Sequence, residues 1–146
     1  MTLEEAANKL VIDKFNLDEE SAHQDQFFWE VCNEYGNALE RKDTAKHILK
    51  IREAEAAKYY RESTSEKVTE ARVSEYVTLA PQCVEQQQFV IKYTAEVEKW
   101  DGMIESFKQR GYAIDKLVEL HLSGYYGTGV SSPERRYIEA RKAKEN

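Results

Sequence analysis

The chain has 146 residues, of which 33% are charged, and its net charge at pH 7 is −6. The scarcity of glycine and proline (6 and 2 residues) favours long helices over a β-sandwich or barrel, and the length suits one domain with its own core. The negative charge argues against a general affinity for nucleic acid. No apolar run approaches the roughly 20 residues that span a bilayer. We therefore predict an all-α protein without a membrane-spanning segment, and two isolated cysteines, Cys32 and Cys83, favour the reducing cytoplasm.

Charge is distributed unevenly along the chain. Residues 1–40 carry a net charge of −8, residues 41–72 carry +3, residues 73–122 carry −3 and residues 123–146 carry +2. An acidic N-terminal region therefore precedes a basic middle region, and a basic tail follows.

The first half of the chain predicts a short helix followed by a long one. Apolar spacing indicates an amphipathic helix over residues 3–12, and either Asn16 or Asp18 is placed to cap the next helix. From residue 21 to about residue 61 no proline occurs, and apolar residues recur at steps of three and four, which predicts one long helix. The polar sequence RESTSE then predicts a break at residues 61–66.

The second half predicts a short helix, a long helix and a joint. Thr69 is placed to cap a short helix that buries Val73, Val77 and Leu79, and Pro81 suits the first turn of the next helix. We predict that this helix ends at residue 110, with Gly111 just past its cap and a last helix over residues 113–122. The competing interpretation keeps one helix, in which Gly111 costs about 1 kcal/mol and permits close packing.

These elements predict a helical domain over residues 1–122, followed by a linker and a short basic helix over residues 123–146. The long helix and the shorter helices after it are expected to form a helical hairpin or bundle. Apolar residues of the C-terminal helices are expected to form an oligomer interface. They are Trp100, Ile104, Phe107, Ile114 and Val118.

Motifs for catalysis, nucleotide binding and metal binding are not found in the sequence. The chain lacks GxxxxGK[ST], GxGxxG, HExxH and GxSxG. Its three histidines, His23, His47 and His121, lie far apart and have no nearby ligand partners. We expect no metal, no cofactor and no enzymatic activity.

The basic middle region combines cations with aromatic rings. Lys42, Lys46 and Lys50 step by four residues and so share one helix face. Further cations and rings follow at Arg52, Lys58, Tyr59, Tyr60, Arg61, Lys67 and Arg72. A single-stranded nucleic acid site needs cations along the phosphates and rings on which bases stack, each stack being worth roughly 1–3 kcal/mol. The same pattern also fits a solvated lysine face with tyrosines that pack on their own domain.

The order of four segments is similar to that of a known family. A long helix closes in KIREAEAAKYYRE, a capped KVTEARV segment follows a polar break, a proline starts the next helix, and KWDGMIESFKQRGYAIDKLVEL completes the region. The stretch QRGYAI is the most specific part. This arrangement covers residues 21–122 and resembles the UvsY family, the small helical recombination mediators of tailed phages. The acidic N-terminal helix and the segment that begins at Ser123 depart from it.

The resemblance implies a non-enzymatic protein in the cytoplasm of a phage-infected cell. Such proteins form ring-shaped homo-oligomers, bind single-stranded DNA and help a RecA-like recombinase displace the single-strand-binding protein. By this resemblance, the DNA-binding region maps to the end of the long helix, here Lys46, Lys50, Arg52, Lys58, Tyr59, Tyr60, Arg61 and Lys67. Two alternatives stay open. One is a helical scaffolding protein without a nucleic acid ligand, and the other is an adaptor that masks a host protein with its acidic N-terminal segment.

Overall fold

The computed structural model describes residues 1–124 and Arg141. The predicted linker and C-terminal basic helix lie outside these residues, apart from positions 123, 124 and 141. Across residues 1–124 the chain forms four helices and no strand: α1 is Leu3–Lys9, α2 is Leu17–Ser63, α3 is Glu70–Leu79 and α4 is Pro81–Leu122. The predicted all-α fold class is confirmed, with a long helix followed by further helices.

A capping box sets the start of the first helix, and the second helix begins after a polar turn. The Thr2 hydroxyl accepts a hydrogen bond from the Glu5 N–H (3.1 Å), and the Glu5 carboxylate accepts one from the Thr2 N–H (2.7 Å). This capping box lowers the pKa of Glu5, chiefly through the backbone hydrogen bond. α1 ends at Lys9, three residues before the predicted end. α2 begins directly after Asn16, whose side-chain amide donates to Glu19 at 2.6 Å.

α3 begins as predicted but buries a different set of side chains. The Thr69 hydroxyl caps it by accepting a hydrogen bond from the Arg72 N–H (3.4 Å). Val73 is buried and Val77 is half-buried, whereas Leu79 is 76% exposed, so its predicted burial is wrong. Six residues rotate a helix by about 600°, which places Leu79 about 120° away from Val73. Pro81 opens α4, as predicted.

The predicted joint at Gly111 is wrong, because α4 continues through it as one helix of 42 residues. The competing interpretation holds instead. A Cβ atom at Gly111 would lie 3.2 Å from Nε2 of Gln24, so the glycine permits close approach of that side chain. Among the described residues, the glycine with positive φ is Gly124 (φ 75°), just past the end of α4. The left-handed glycine at the helix end is therefore Gly124, two residues beyond Leu122.

The chain divides into two compact units, and α2 and α4 contribute to both. The first unit comprises residues 1–30 together with the described residues from 103 onward. Its interior contains Phe107 and Ile114, both fully or almost fully buried, and the buried side chain of Arg110. Lys9 of α1 pairs with Glu30 of α2 (2.7 Å), and its ammonium lies 4.7 Å from the centroid of the Phe27 ring.

Arg110 is the centre of a buried polar network in the first unit. Its guanidinium pairs with the Glu20 carboxylate and donates to Oε1 of Gln24 at 2.7 Å. The other end of the Gln24 amide donates to the Phe107 carbonyl at 2.8 Å. The guanidinium also lies 5.6 Å from the centroid of the Phe27 ring. The network therefore ties α4 to the start of α2 through charge-assisted hydrogen bonds.

The second unit comprises residues 31–102, and its interior combines small side chains and valines with one large ring, that of Trp100. Its buried residues include alanines at positions 38, 45, 56 and 80. Ala56, Ala80 and Cys83 form one cluster, against which Leu49, Tyr76 and Val77 pack. Burial raises the pKa of the Cys83 thiol, and the nearby Glu53 carboxylate raises it further. Alanines let the helices approach closely, and Gln86 uses this closeness to donate to the Ala45 carbonyl at 3.0 Å.

Three residues of the predicted oligomer interface are buried inside the chain. Trp100, Phe107 and Ile114 are 3%, 0% and 2% exposed. Ile104 and Val118 are half-buried. The apolar spacing of α4 reflects packing within the chain, so in this fold a second copy cannot contact the three buried side chains directly.

Candidate nucleic-acid interface

The structure places the eight residues predicted to bind nucleic acid in the second unit, on more than one side of α2. Seven lie on α2, and Lys67 lies in the connection to α3. Because an α-helix turns about 100° per residue, Lys46, Lys50 and Arg61 fall within about 60° of one another. Arg52 and Tyr59 share a different face, about 120–140° from Lys46. Lys58 projects between the two groups, so the predicted residues do not form one continuous row.

Three of the predicted cations are unpaired lysines. Lys46, Lys50 and Lys67 are exposed, and none of them forms an ion pair with another described residue. Lys46 and Lys50 lie one turn apart on the same face of α2, as their spacing predicts. These ammonium groups can bind phosphate without first breaking an ion pair to another residue that the structure describes.

The other three predicted cations have carboxylate partners. Arg52 lies 3.9 Å from the Glu85 carboxylate and donates to the Gln82 carbonyl at 3.2 Å, which links α2 to α4. Arg61 donates to both carboxylate oxygens of Glu70 at 3.2 Å, which links α2 to α3. Lys58 lies 4.0 Å from Glu62 on its own helix. A phosphate would have to compete with these partners.

The two predicted tyrosines have different surroundings. Tyr60 is half-buried and stacks on Tyr76 of α3, with ring centroids 4.6 Å apart and an interplanar angle of 18°. Tyr59 is 63% exposed, and its centroid is 6.4 Å from that of Tyr76. Tyr60 therefore packs within the unit, whereas Tyr59 presents ring surface to solvent. Tyr76 was missed in the sequence, although its position three residues after the buried Val73 indicated the packed side of α3.

The first unit contains an open groove of about 430 Å³ between α2 and α4. Its lining includes Phe28, Gly111 and Tyr112, with Lys108 beside the acidic residues Asp25 and Asp115. Two carboxylates and one ammonium group do not favour an anionic ligand here. The described residues also contain no group of three or more potential metal ligands.

Comparisons of the chain with protein-family models, with curated proteins and with solved structures found no match. Within the described residues, none of the helices is both long enough and apolar enough to cross a membrane.

Proposed function

We propose that the protein binds single-stranded DNA through the unpaired lysines of its second unit and acts as a homo-oligomeric recombination mediator. In this role it helps a RecA-like recombinase replace the single-strand-binding protein. The observation that carries DNA binding is that Lys46, Lys50 and Lys67 are exposed and form no ion pair with another described residue, in a chain of net charge −6. The mediator role, the ring and the protein partners come from the resemblance to the UvsY family.

The site of one subunit is expected to be weak. Few cations face the strand, and the acidic remainder of the protein repels phosphate at long range. A homo-oligomer compensates, because binding at one subunit raises the effective concentration of DNA at the others, and avidity can add about 10²–10⁴-fold. The protein is therefore expected to prefer long strands that several subunits reach together.

Two features favour single strands over duplex. The net negative charge opposes the sequence-independent electrostatic binding that supplies most affinity for duplex DNA. The exposed ring of Tyr59 offers a stacking surface for an unpaired base, which a duplex does not present.

A charge-matched pair of variants tests the proposed site. Lys46→Ala/Lys50→Ala removes two unpaired cations, whereas Lys108→Ala/Lys116→Ala removes two exposed lysines of the first unit that pair with Glu105 and Glu119. Fluorescence anisotropy with a labelled single strand should show weaker binding for the first variant, equally for all base sequences, and a salt dependence flatter by about 1.4, which is about 0.7 per lysine. The second variant should bind much more like the wild type. Equal losses in both variants would contradict the site.

The mediator role needs a separate measurement. The protein should speed the exchange of a single-strand-binding protein for a RecA-like recombinase on long strands. Binding without any change in that exchange would leave a single-strand-binding function alone. Absence of binding at low salt would favour the scaffolding or adaptor alternatives.

A further inference from the structure

One stretch of the second unit is almost free of charge. In a chain of which 33% is charged, residues 76–91 contain one charged side chain, Glu85. That carboxylate lies 3.9 Å from Arg52, so it is already partly neutralised. The stretch covers the end of α3 and the first three turns of α4.

The same stretch exposes large apolar side chains. Leu79, Val84, Phe89 and Ile91 are 76%, 46%, 39% and 54% exposed. On α4, four uncharged residues at steps of four, three and four follow one outward face, and we call them the neutral stripe: Val84, Gln88, Ile91 and Ala95. All four are exposed, Glu85 and Lys92 border the stripe on one side with opposite charges, and Glu98 and Lys99 follow it. This 4-3-4 spacing is that of the seam between two packed helices.

Depletion of charge together with exposed aliphatic side chains is typical of the centre of a protein interface. It does not suit a nucleic acid, which binds through cations. A basic partner would gain more from the acidic region over residues 1–40, whose net charge is −8. The neutral stripe therefore fits a partner whose contacting surface is also uncharged.

We infer that the neutral stripe is the surface through which two copies of this chain pack on each other. Copies of net charge −6 repel one another, and the repulsion is smallest where the facing surfaces carry no charge. An uncharged stripe is also complementary to itself, because Val84 and Ile91 of each copy cover the other's apolar surface, and such a contact joins copies in pairs, which a ring would connect through a second surface. The inference rests on the self-association contained in the proposed function, and it is independent of DNA binding.

A contact through an uncharged stripe predicts how salt affects self-association. Added salt screens the remaining repulsion between copies, so self-association should persist or strengthen. DNA binding by the lysines should weaken under the same conditions. The two activities are thus separable by salt alone.

Sedimentation velocity without DNA tests the inference. The wild type should be larger than a monomer at micromolar concentration. Ile91→Lys and Val84→Lys should each raise the concentration needed for assembly by about tenfold or more, because each places a charge in the seam of both copies. Leu122→Lys is the matched control, since it introduces the same charge at a residue that is 79% exposed on the same helix but outside the stripe. Circular dichroism should show unchanged helix content, because all three positions are exposed.

Each contrary result overturns a different statement. A wild type that stays monomeric across the micromolar range overturns self-association and the role of the stripe with it. If the stripe variants form an assembly of the same mass as the wild type, the assignment of the contact to the neutral stripe is overturned, but self-association is not. The same holds if the control at Leu122 dissociates the assembly as strongly as the stripe variants do. Anisotropy with single-stranded DNA, measured on the same samples, reports separately whether the DNA-binding proposal holds.

Discussion

The two units are built from stretches of the same two helices but are stabilised by different interiors. In the first unit, a buried arginine joins α4 to α2 through the Glu20 carboxylate and the Gln24 amide. In the second unit, alanines let the helices approach, Gln86 is the buried polar side chain between them, and the partly exposed Arg41–Glu96 pair also joins α2 to α4. A buried charged network fixes the arrangement of the first unit, whereas the buried interior of the second is mostly apolar and depends on close packing.

The largest expected effect comes from breaking the buried ion pair of the first unit. Arg110→Ala leaves the Glu20 carboxylate and the Gln24 amide without their partner, and it should lower the free energy of unfolding by about 3–5 kcal/mol. Arg61→Ala is the matched control, because its pair with Glu70 is exposed and should contribute less than about 1 kcal/mol. Urea denaturation of both variants gives the comparison. Similar losses would show that burial does not distinguish the two pairs.

A second comparison uses the glutamine of each unit. Gln24→Leu removes the bond to the Phe107 carbonyl and leaves Arg110 short of an acceptor, so the expected loss in unfolding free energy is about 1.5–3 kcal/mol. Gln86→Leu removes one neutral bond to the Ala45 carbonyl and should cost about 0.5–1.5 kcal/mol. If Gln86→Leu proved the more costly of the two, the polar interior of the first unit would be less important than its contacts indicate.

The glycines of α4 provide a third comparison with a smaller effect. Apart from its chain neighbours and the backbone of its own helix turn, no atom lies within 4 Å of a Cβ built at Gly102, so Gly102→Ala should stabilise the protein by about 0.4–1 kcal/mol. At Gly111 the added Cβ would lie 3.2 Å from Nε2 of Gln24, which is held by its own hydrogen bonds. Gly111→Ala should therefore be neutral or destabilising in thermal unfolding. Equal stabilisation by both changes would mean that the Gln24 side chain moves away from the added methyl group without loss of stability.

The smallest expected effect is a pH dependence at the edge of the first unit. The hydrogen bond from Lys9 lowers the pKa of Glu30, and one from Gln26 adds to this. Because the pKa of Glu30 is lower in the folded state, its ionised carboxylate stabilises the fold at pH values above the group's ordinary pKa of 4.5. This contribution is lost as the pH falls through the folded-state pKa. Lys9→Met should raise the pKa of Glu30, which an NMR titration measures. A pKa that does not change would show that the pair does not persist in solution.

Features determined by neighbouring residues could be predicted from the sequence. The Thr69 cap, the position of Pro81 and the shared face of Lys46 and Lys50 all follow from local spacing. Gly111 could not be resolved in this way, because a glycine after an arginine suits both a helix end and a closely packed helix interior. The residue that decides between them, Gln24, is more than 80 residues away in the sequence.

The candidate site shows the same division between local and distant contacts. Spacing predicted which cations share a side of α2, but it did not indicate which of them are paired. Arg61 is partnered by Glu70 across the break, and Arg52 by Glu85 of another helix. Tyr60 was indistinguishable from Tyr59 until α3 placed Tyr76 against it. Of the eight residues predicted to bind DNA, the tertiary contacts therefore leave three lysines without an ion pair to a described residue and one exposed aromatic ring.

The most direct test of DNA binding is the salt dependence of wild-type affinity for a single-stranded oligonucleotide, measured by fluorescence anisotropy. If Lys46, Lys50 and Lys67 neutralise phosphates, the logarithm of the association constant should fall linearly with the logarithm of salt concentration, with a slope of about −2 for each subunit bound. A duplex competitor should displace the strand poorly. Absence of binding at low salt, or an affinity that does not change with salt, would contradict the proposal that these lysines bind DNA.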